Sequence, residues 1–197
     1  MFASSDPRSF ASPRRLVTLL ALIALVVGVM LVTPQAGRVT DASSVTPAVL
    51  HTGVISCGEN GFLPEDSGTG YTVGSGHWRY WTGGGSSRFS CGVTLPNKAV
   101  VTRVQFTLAD FDATREVSGC RLARHSLSPS TAANIEVLAA VHATGVSAHT
   151  GTVRLTDSTI AHATVSNTGY WYTLDCNLGF GADVGIYGAS ISYTTRS

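Results

Sequence analysis

The chain has 197 residues, of which 13% are charged and 44% are hydrophobic, and its formal net charge is +1. This composition is too apolar for a disordered chain, and it lacks the basic stripe that is typical of nucleic-acid-binding domains. No run of five or more like charges occurs, which argues against an extended surface for polyanions. We therefore expect one folded domain with an extension, and no nucleic-acid partner.

The N-terminal segment has the pattern of an export signal. Residues 1–15 contain three arginines and form a basic n-region, and residues 16–32, LVTLLALIALVVGVMLV, are uninterrupted by charge. This pattern predicts either the h-region of a signal peptide or a transmembrane anchor, and both place the rest of the chain outside the cytoplasm. We expect a secreted or surface-anchored protein that contacts the membrane only through residues 16–32.

Two further segments follow the apolar stretch. Residues 33–50 are small, polar and interrupted by two prolines, which predicts a flexible linker. Residues 51–197 are rich in Gly, Thr, Ser and Val, and apolar and polar residues alternate in short runs between turn clusters. This texture predicts a single domain of half-buried antiparallel strands.

The alternating runs place ten candidate strands in this domain. The clearest is Val100–Asp110, in which Val104, Phe106 and Leu108 share one face. The run Ile135–His142 is compatible with a helix, but its β-branched residues recur at period two, so we interpret it as a strand. Many short strands and no convincing helix predict an all-β fold, an antiparallel β-sandwich of jelly-roll-like form. The other predicted strands are Val54–Cys57, Trp78–Thr82, Arg88–Leu95, Val117–His125, Thr152–Leu155, Ile160–Val165, Tyr170–Leu178 and Val184–Tyr193.

All four cysteines lie after the apolar segment, at Cys57, Cys91, Cys120 and Cys176. An even number in an exported chain, with no C-x-x-C spacing, favours two structural disulfides over a zinc or redox site. Four cysteines allow three pairings. We expect Cys57–Cys91, which lie in early segments of the domain, and Cys120–Cys176, which lie on the apolar faces of two well-formed strands.

Several motifs occur in an order that resembles a group of exported bacterial domains. They are GFLPEDSGTGYTV from Gly61, LPNKAVVTRVQFTLADFDA from Leu95, CRLARHSL from Cys120, TIAHATVSNTGYWYTL from Thr159, and VGIYGASISYT from Val184. The resemblance covers about residues 60–195 and implies a compact β-sandwich, but it implies no activity. His162 and the pair Cys120 and Cys176 depart from the group's pattern, which implies that the second disulfide is particular to this chain.

The sequence offers little catalytic or metal-binding chemistry. No serine stands in the Gly-x-Ser-x-Gly context of a hydrolase nucleophile. Asp110 and Asp112 supply too few oxygens for calcium, and we expect a structural turn there. Three histidines, His142, His149 and His162, have no spacing that indicates a zinc site. We therefore predict no enzyme activity, no metal and no cofactor.

Two aromatic clusters remain as candidates for ligand binding. In HWRYW, from His77, alternation puts Trp81 and Arg79 on one face; in GYWYTLDC, from Gly169, it puts Trp171 and Asp175 on one face. The opposite faces, which include Tyr170 and Tyr172, are expected to join the core because aromatic side chains bury large areas.

Trp171 and Trp81 are therefore the predicted ligand-binding residues. The favoured interpretation is a non-enzymatic exported protein with a binding or structural role, whose partner is a cell-wall glycan or another copy of the chain. The alternative is a carbohydrate-binding module that uses these tryptophans. A hydrolase with a spatially assembled site is the third, least favoured interpretation.

Overall fold

A computed structural model describes residues 48–128, 134–142 and 151–197. Within these ranges the chain forms a 3₁₀ turn at Glu59–Gly61 and eleven strands. In the described part of the chain, no helix is long and apolar enough to cross a membrane. The predicted export segment at residues 16–32 lies outside the described residues. The strands are β1 (Leu50–Gly58), β2 (Leu63–Pro64), β3 (Gly70–Val73), β4 (Arg79–Gly83), β5 (Arg88–Val93), β6 (Val100–Asp110), β7 (Gly119–Ser126), β8 (Ile135–His142), β9 (Gly151–Asp157), β10 (Tyr170–Asn177) and β11 (Val184–Arg196).

The strands form two antiparallel sheets. The six-stranded sheet has the order β3-β4-β11-β6-β9, and β1 also pairs with β11. The five-stranded sheet has the order β2-β5-β10-β7-β8. From β5 onward the chain repeatedly changes sheet between successive strands, as in double-sheet jelly rolls. The predicted all-β antiparallel sandwich is confirmed.

The core lies between the two sheets, where alternate residues of each strand are buried. Val104, Phe106 and Leu108 on β6 are at most 1% exposed, as their period-two spacing predicts. From the other sheet, Leu122 of β7 and Leu174 of β10 face them in the same hydrophobic cluster. These two leucines are register partners on neighbouring strands. The outer faces of the sheets are thus left to the polar members of each alternation.

The structure forms the disulfides Cys57–Cys91 and Cys120–Cys176, the two pairs predicted from the sequence. The first joins β1 of the six-stranded sheet to β5 of the five-stranded sheet. The second joins β7 and β10, which are neighbours in one sheet with the two cysteines directly opposite each other. Two disulfides and no free cysteine in the described residues indicate an oxidising environment.

Several segments differ from the predicted strands. Ile160–Val165 is not a strand: His162 has a φ of 47°, and only a bridge from Thr164 to Val100 continues the pairing. A left-handed residue breaks the extended backbone that a ladder requires. Conversely, two strands are absent from the predicted set: β2, which pairs with β5, and β3, which lies in the glycine-rich run GTGYTVG from Gly68 and pairs with β4. Strands β6 and β8, by contrast, have the predicted bounds.

Candidate functional site

The outer face of the five-stranded sheet carries the clearest group of functional side chains. We call it the β10 face and define it by Ser90 of β5, Trp171, Thr173 and Asp175 of β10, and Arg121 and His125 of β7. Antiparallel register places Trp171 opposite His125, and Asp175 opposite both Arg121 and Ser90. Because residues i and i+2 of a strand share one face, these side chains form a continuous row across three strands.

Trp171 lies at one end of this row, exposed and held by its neighbour. Its side chain is 47% exposed, and its ring stacks on the imidazole of His125 with centroids 4.0 Å apart and planes 17° apart. His125 in turn lies 2.8 Å from the hydroxyl of Thr173 through its Nε2. The imidazole therefore supports one face of the indole and leaves the other face to solvent.

The three tryptophans, all in the described part of the chain, differ in how their indole N–H groups are used. Trp78 donates to the carbonyl of Ala182 at 2.8 Å, and Trp81 donates to the carbonyl of Gly84 at 3.0 Å. The indole N–H of Trp171 has no hydrogen-bond partner among the described residues. Trp171 is thus the one tryptophan that keeps both an open ring face and an open donor.

His125 is held in its neutral form by its surroundings. Partial burial lowers the pKa of His125 below its ordinary value, and the nearby Arg121 acts in the same direction. Asp175 and Glu65 oppose this effect on the pKa without reversing it. At neutral pH the ring beneath Trp171 is therefore an uncharged aromatic partner with one hydrogen-bond donor and one acceptor.

A polar network occupies the other end of the β10 face. Asp175 is 2% exposed, and its oxygens accept hydrogen bonds from Arg121 Nε at 2.9 Å and from Ser90 Oγ at 2.8 Å. Ser90 Oγ also lies 3.0 Å from Glu65 Oε1, and Glu65 pairs with Arg88 at 3.4 Å. The buried carboxylate is thus compensated on both oxygens, as buried charges require. It serves to fix Arg121 and Ser90 rather than to meet a ligand.

A cavity of about 180 Å³ adjoins this network at the end of β10. Its polar lining comes from β5, β7, β8 and the end of β10, and the Cys120–Cys176 disulfide lines it as well. The polar residues of the lining are Arg88, Arg121, His142, Asp175 and Asn177.

The second predicted ligand-binding residue, Trp81, lies on β4 of the six-stranded sheet and is not brought near Trp171. Its ring packs against the core and meets Phe180 edge-to-face at 5.8 Å. Arg79, expected beside it on an outward face, is buried at 5% exposure, and its guanidinium covers the ring of Tyr71 at 4.6 Å. The expectation that this face of β4 points outward is therefore wrong, because the cation–π contact and the apolar body of the arginine let it face inward.

On β10, the predicted division of faces agrees with the structure in part. Tyr172 is 2% exposed and lies in the core cluster. Tyr170 is only partly buried, and the guanidinium of Arg124 lies 4.2 Å from its ring centroid. Asp175 shares the face of Trp171, as predicted, but Arg121 and Ser90 cover it.

The two aspartates of the ADFDAT turn have separate environments. Asp112 accepts hydrogen bonds from the backbone and hydroxyl of Thr114 at 2.7 and 2.6 Å, and these bonds lower the pKa of Asp112. Asp110 is fully buried, and neither of its oxygens has a partner among the described residues. Asp112 therefore organises the turn, as expected from the sequence, and the two carboxylates do not form a joint site.

The histidines considered as zinc ligands are also separate. His142 lines the cavity at the end of β10, whereas His162 lies 3.7 Å from Glu136. His149 lies outside the described residues. Within the described ranges, no three His, Cys, Asp or Glu side chains come together as a metal site.

A scan against protein-family models gave no match, and neither did a search of curated protein sequences. Solved structures with a similar course of the chain include the C-terminal CBM6 of a marine laminarinase from Zobellia galactanivorans. It has 13% identity and a TM-score of 0.40, and the alignment covers 71% of this chain and 98% of that one.

Two further solved structures are similar at the same level. A xylan-binding module, CBM15, has 12% identity and a TM-score of 0.42, covering 72% of this chain and 97% of that one. A Stig cyclase from Fischerella sp. TAU has 13% identity and a TM-score of 0.29, covering 79% and 92%. At these identities the likeness concerns the β-sandwich alone, and the three proteins include both binding modules and a cyclase.

Proposed function

We propose that this protein is an exported, non-catalytic binding domain that holds a glycan on the β10 face, with Trp171 as the stacking residue. One observation carries the proposal. Trp171 is 47% exposed, is fixed from below by the His125 ring at 4.0 Å, and has an indole N–H without a partner in the described residues.

This arrangement matches the chemistry of a sugar. A pyranose has an apolar face of C–H groups that packs on an aromatic ring, and a rim of hydroxyls that needs donors and acceptors. The open face of Trp171 supplies the first, while its N–H and the ring nitrogen of His125 that is not bonded to the buried Thr173 supply part of the second. The stack with His125 fixes the indole before binding, which reduces the entropy lost when the ligand is held.

The same face argues against hydrolysis. A glycoside hydrolase generally needs two carboxyl groups facing the scissile bond, about 5–5.5 or 6.5–9.5 Å apart. Asp175 on the β10 face is 2% exposed and engaged through both oxygens, so it and the neighbouring Glu65 do not supply two free carboxyl groups. Ser90 bonds to these carboxylates, and the hydroxyl bonded to His125 is that of Thr173, so no histidine is set to activate Ser90 as a nucleophile.

Export is the second part of the proposal. The two disulfides need an oxidising compartment to form and persist. Residues 16–32 provide the predicted route, either as a cleaved signal or as an anchor. A binding domain in that place meets cell-wall or environmental glycans.

The test is a glycan panel probed with the wild-type domain and with Trp171→Ala. We expect binding to at least one glycan and a loss of about 30-fold or more in Trp171→Ala, the effect of truncating a central aromatic anchor. Phe180→Ala is the matched control, since Phe180 is 51% exposed and lies beside Trp81 rather than on the β10 face. Thermal melting shows that each variant is folded.

Two results would contradict the proposal. Absence of binding to every neutral and acidic glycan would leave the structural or self-association role predicted from the sequence. Loss of binding in Trp81→Ala but not in Trp171→Ala, with unchanged melting, would move the site to β4.

A further inference from the structure

The cavity at the end of β10 is built for a different chemical group from the one that Trp171 accepts. Trp171 and Asn177 are six residues apart on the same strand, or about 20 Å at about 3.4 Å per residue. A short oligosaccharide stacked on Trp171 can therefore reach the cavity. Its volume of about 180 Å³ is below the roughly 300–1,000 Å³ of a drug-sized site, so it suits one small group or one sugar ring.

The cavity presents more free positive than negative charge. Its one carboxylate, Asp175, has a side chain that is 3% exposed and accepts bonds on both oxygens. Arg121 uses only Nε in that pair, and its two terminal nitrogens have no partner among the described residues. The side chain of Arg121 is 25% exposed, so these nitrogens remain available to a ligand.

Arg88 adds a second guanidinium from the opposite side of β10. It donates through Nε to Asn177 Oδ1 at 3.3 Å, and its Nη1 lies 3.4 Å from Glu65. Both side chains of this ion pair are 37% exposed, so the pair is weak and an anionic ligand can replace Glu65 as the partner of Arg88. Because Asn177 accepts through its oxygen, its amide nitrogen keeps donors that no described residue uses. His142 of β8 completes the polar wall.

We propose that this cavity, the arginine cavity, binds the anionic group of an acidic sugar, a carboxylate or a sulfate, in the same glycan that stacks on Trp171. The inference rests on the proposed function. Guanidinium groups form paired, charge-assisted hydrogen bonds with planar carboxylates and with oxyanions, which a neutral hydroxymethyl group cannot form. Two of them, held on β5 and β7 on either side of β10, select a charged sugar over its neutral counterpart.

The experiment compares paired ligands that differ only in charge. One pair is uronate oligosaccharides before and after methyl esterification, and the other is sulfated oligosaccharides before and after desulfation; neutral cello-, xylo-, laminari- and chito-oligosaccharides complete the panel. We expect an acidic member to bind at least tenfold more tightly than its neutralised form. The pair that shows this difference identifies the anionic group.

The variant for this test is Arg88→Gln, because Arg121 holds the buried Asp175 and its replacement would perturb the fold. Arg88→Gln is expected to weaken binding of the acidic ligand at least fivefold and to leave its neutralised form unchanged. Arg103→Gln, on an exposed position of β6 in the other sheet, controls for general charge and should change neither. Raising the salt concentration should weaken acidic binding selectively.

Three results would overturn the inference. If neutralised ligands bind as tightly as the charged ones, the arginine cavity does not bind an anionic group. In that case, a loss of glycan binding in Trp171→Ala would still support the glycan site on the β10 face. Polyglutamate that binds as tightly as the acidic glycan would mean that the arginines attract any polyanion. Failure of all glycans to bind would refute this inference and the proposed function together.

Discussion

The disulfide between the two sheets offers a prediction whose size follows from the chain. We consider the double variant Cys57→Ala, Cys91→Ala, which removes the bridge from β1 to β5. The bridge closes a loop with a sequence separation of 34. The chain-entropy relation for a loop of this length gives about 3.8 kcal/mol at 25 °C. Since domains of this kind are stable by about 5–15 kcal/mol, the variant should lose a quarter or more of its free energy of unfolding.

The assay is urea unfolding of the wild-type and variant domains, followed by fluorescence and circular dichroism at 25 °C. The control is Cys120→Ala, Cys176→Ala, whose bridge has a sequence separation of 56 and should contribute about 4.2 kcal/mol by the same relation. Both variants should also show a larger dependence on urea, because the unfolded chain exposes more surface without the cross-link. A loss below about 1 kcal/mol for the inter-sheet bridge would contradict a stabilisation by loop closure of this size.

Two further predictions concern the β10 face. Burial lowers the pKa of His125 in the folded protein. Just below pH ~6.5 the unfolded chain therefore binds more protons than the folded protein does. Acidification in this range should destabilise the wild type more than it destabilises His125→Gln. The NMR titration of His125 should have a midpoint below about 6.5, and a midpoint at or above that value would contradict the account. Asp175→Asn should lower the free energy of unfolding by about 1.5 kcal/mol, the lower end for hydrogen bonds to a charged group, since Arg121 is partly exposed. Urea unfolding measures this, and a loss no larger than that of the exposed control Asp183→Asn would contradict it.

The fold was largely predictable because its strands have one buried and one solvent-exposed face. On β6, the alternation from Val100 to Asp110 predicts both the bounds and the buried side. Val137 and Val141 likewise identify β8 in spite of its helix-compatible alanines. Ile160–Val165 has the alternation of a strand, but the left-handed backbone at His162 interrupts it. The alternation of apolar and polar residues carries no information about φ, so the sequence could not predict this break.

Prediction of the site was less complete because it depends on pairs of strands. Alternation identified Trp171 as outward-facing, but it misassigned Arg79, whose burial depends on the ring of Tyr71 from a strand that was not predicted. His125 was missed altogether, although a signal was present. With Cys120 opposite Cys176 in an antiparallel pair, five residues along each strand bring His125 opposite Trp171. The predicted Cys120–Cys176 disulfide, combined with antiparallel pairing of the two strands, therefore already implied that His125 lies opposite Trp171.

Binding of a glycan to the β10 face is tested most directly by NMR mapping of the bound ligand on the wild-type domain. A binder from the glycan panel is titrated into labelled protein. We expect the largest shifts at the indole N–H of Trp171 and at the amides of His125 and Thr173, with little change at Arg103 and Gln105 on the opposite sheet. Shifts confined to the six-stranded sheet, or an unshifted Trp171 indole in the presence of a saturating ligand, would contradict glycan binding to the β10 face.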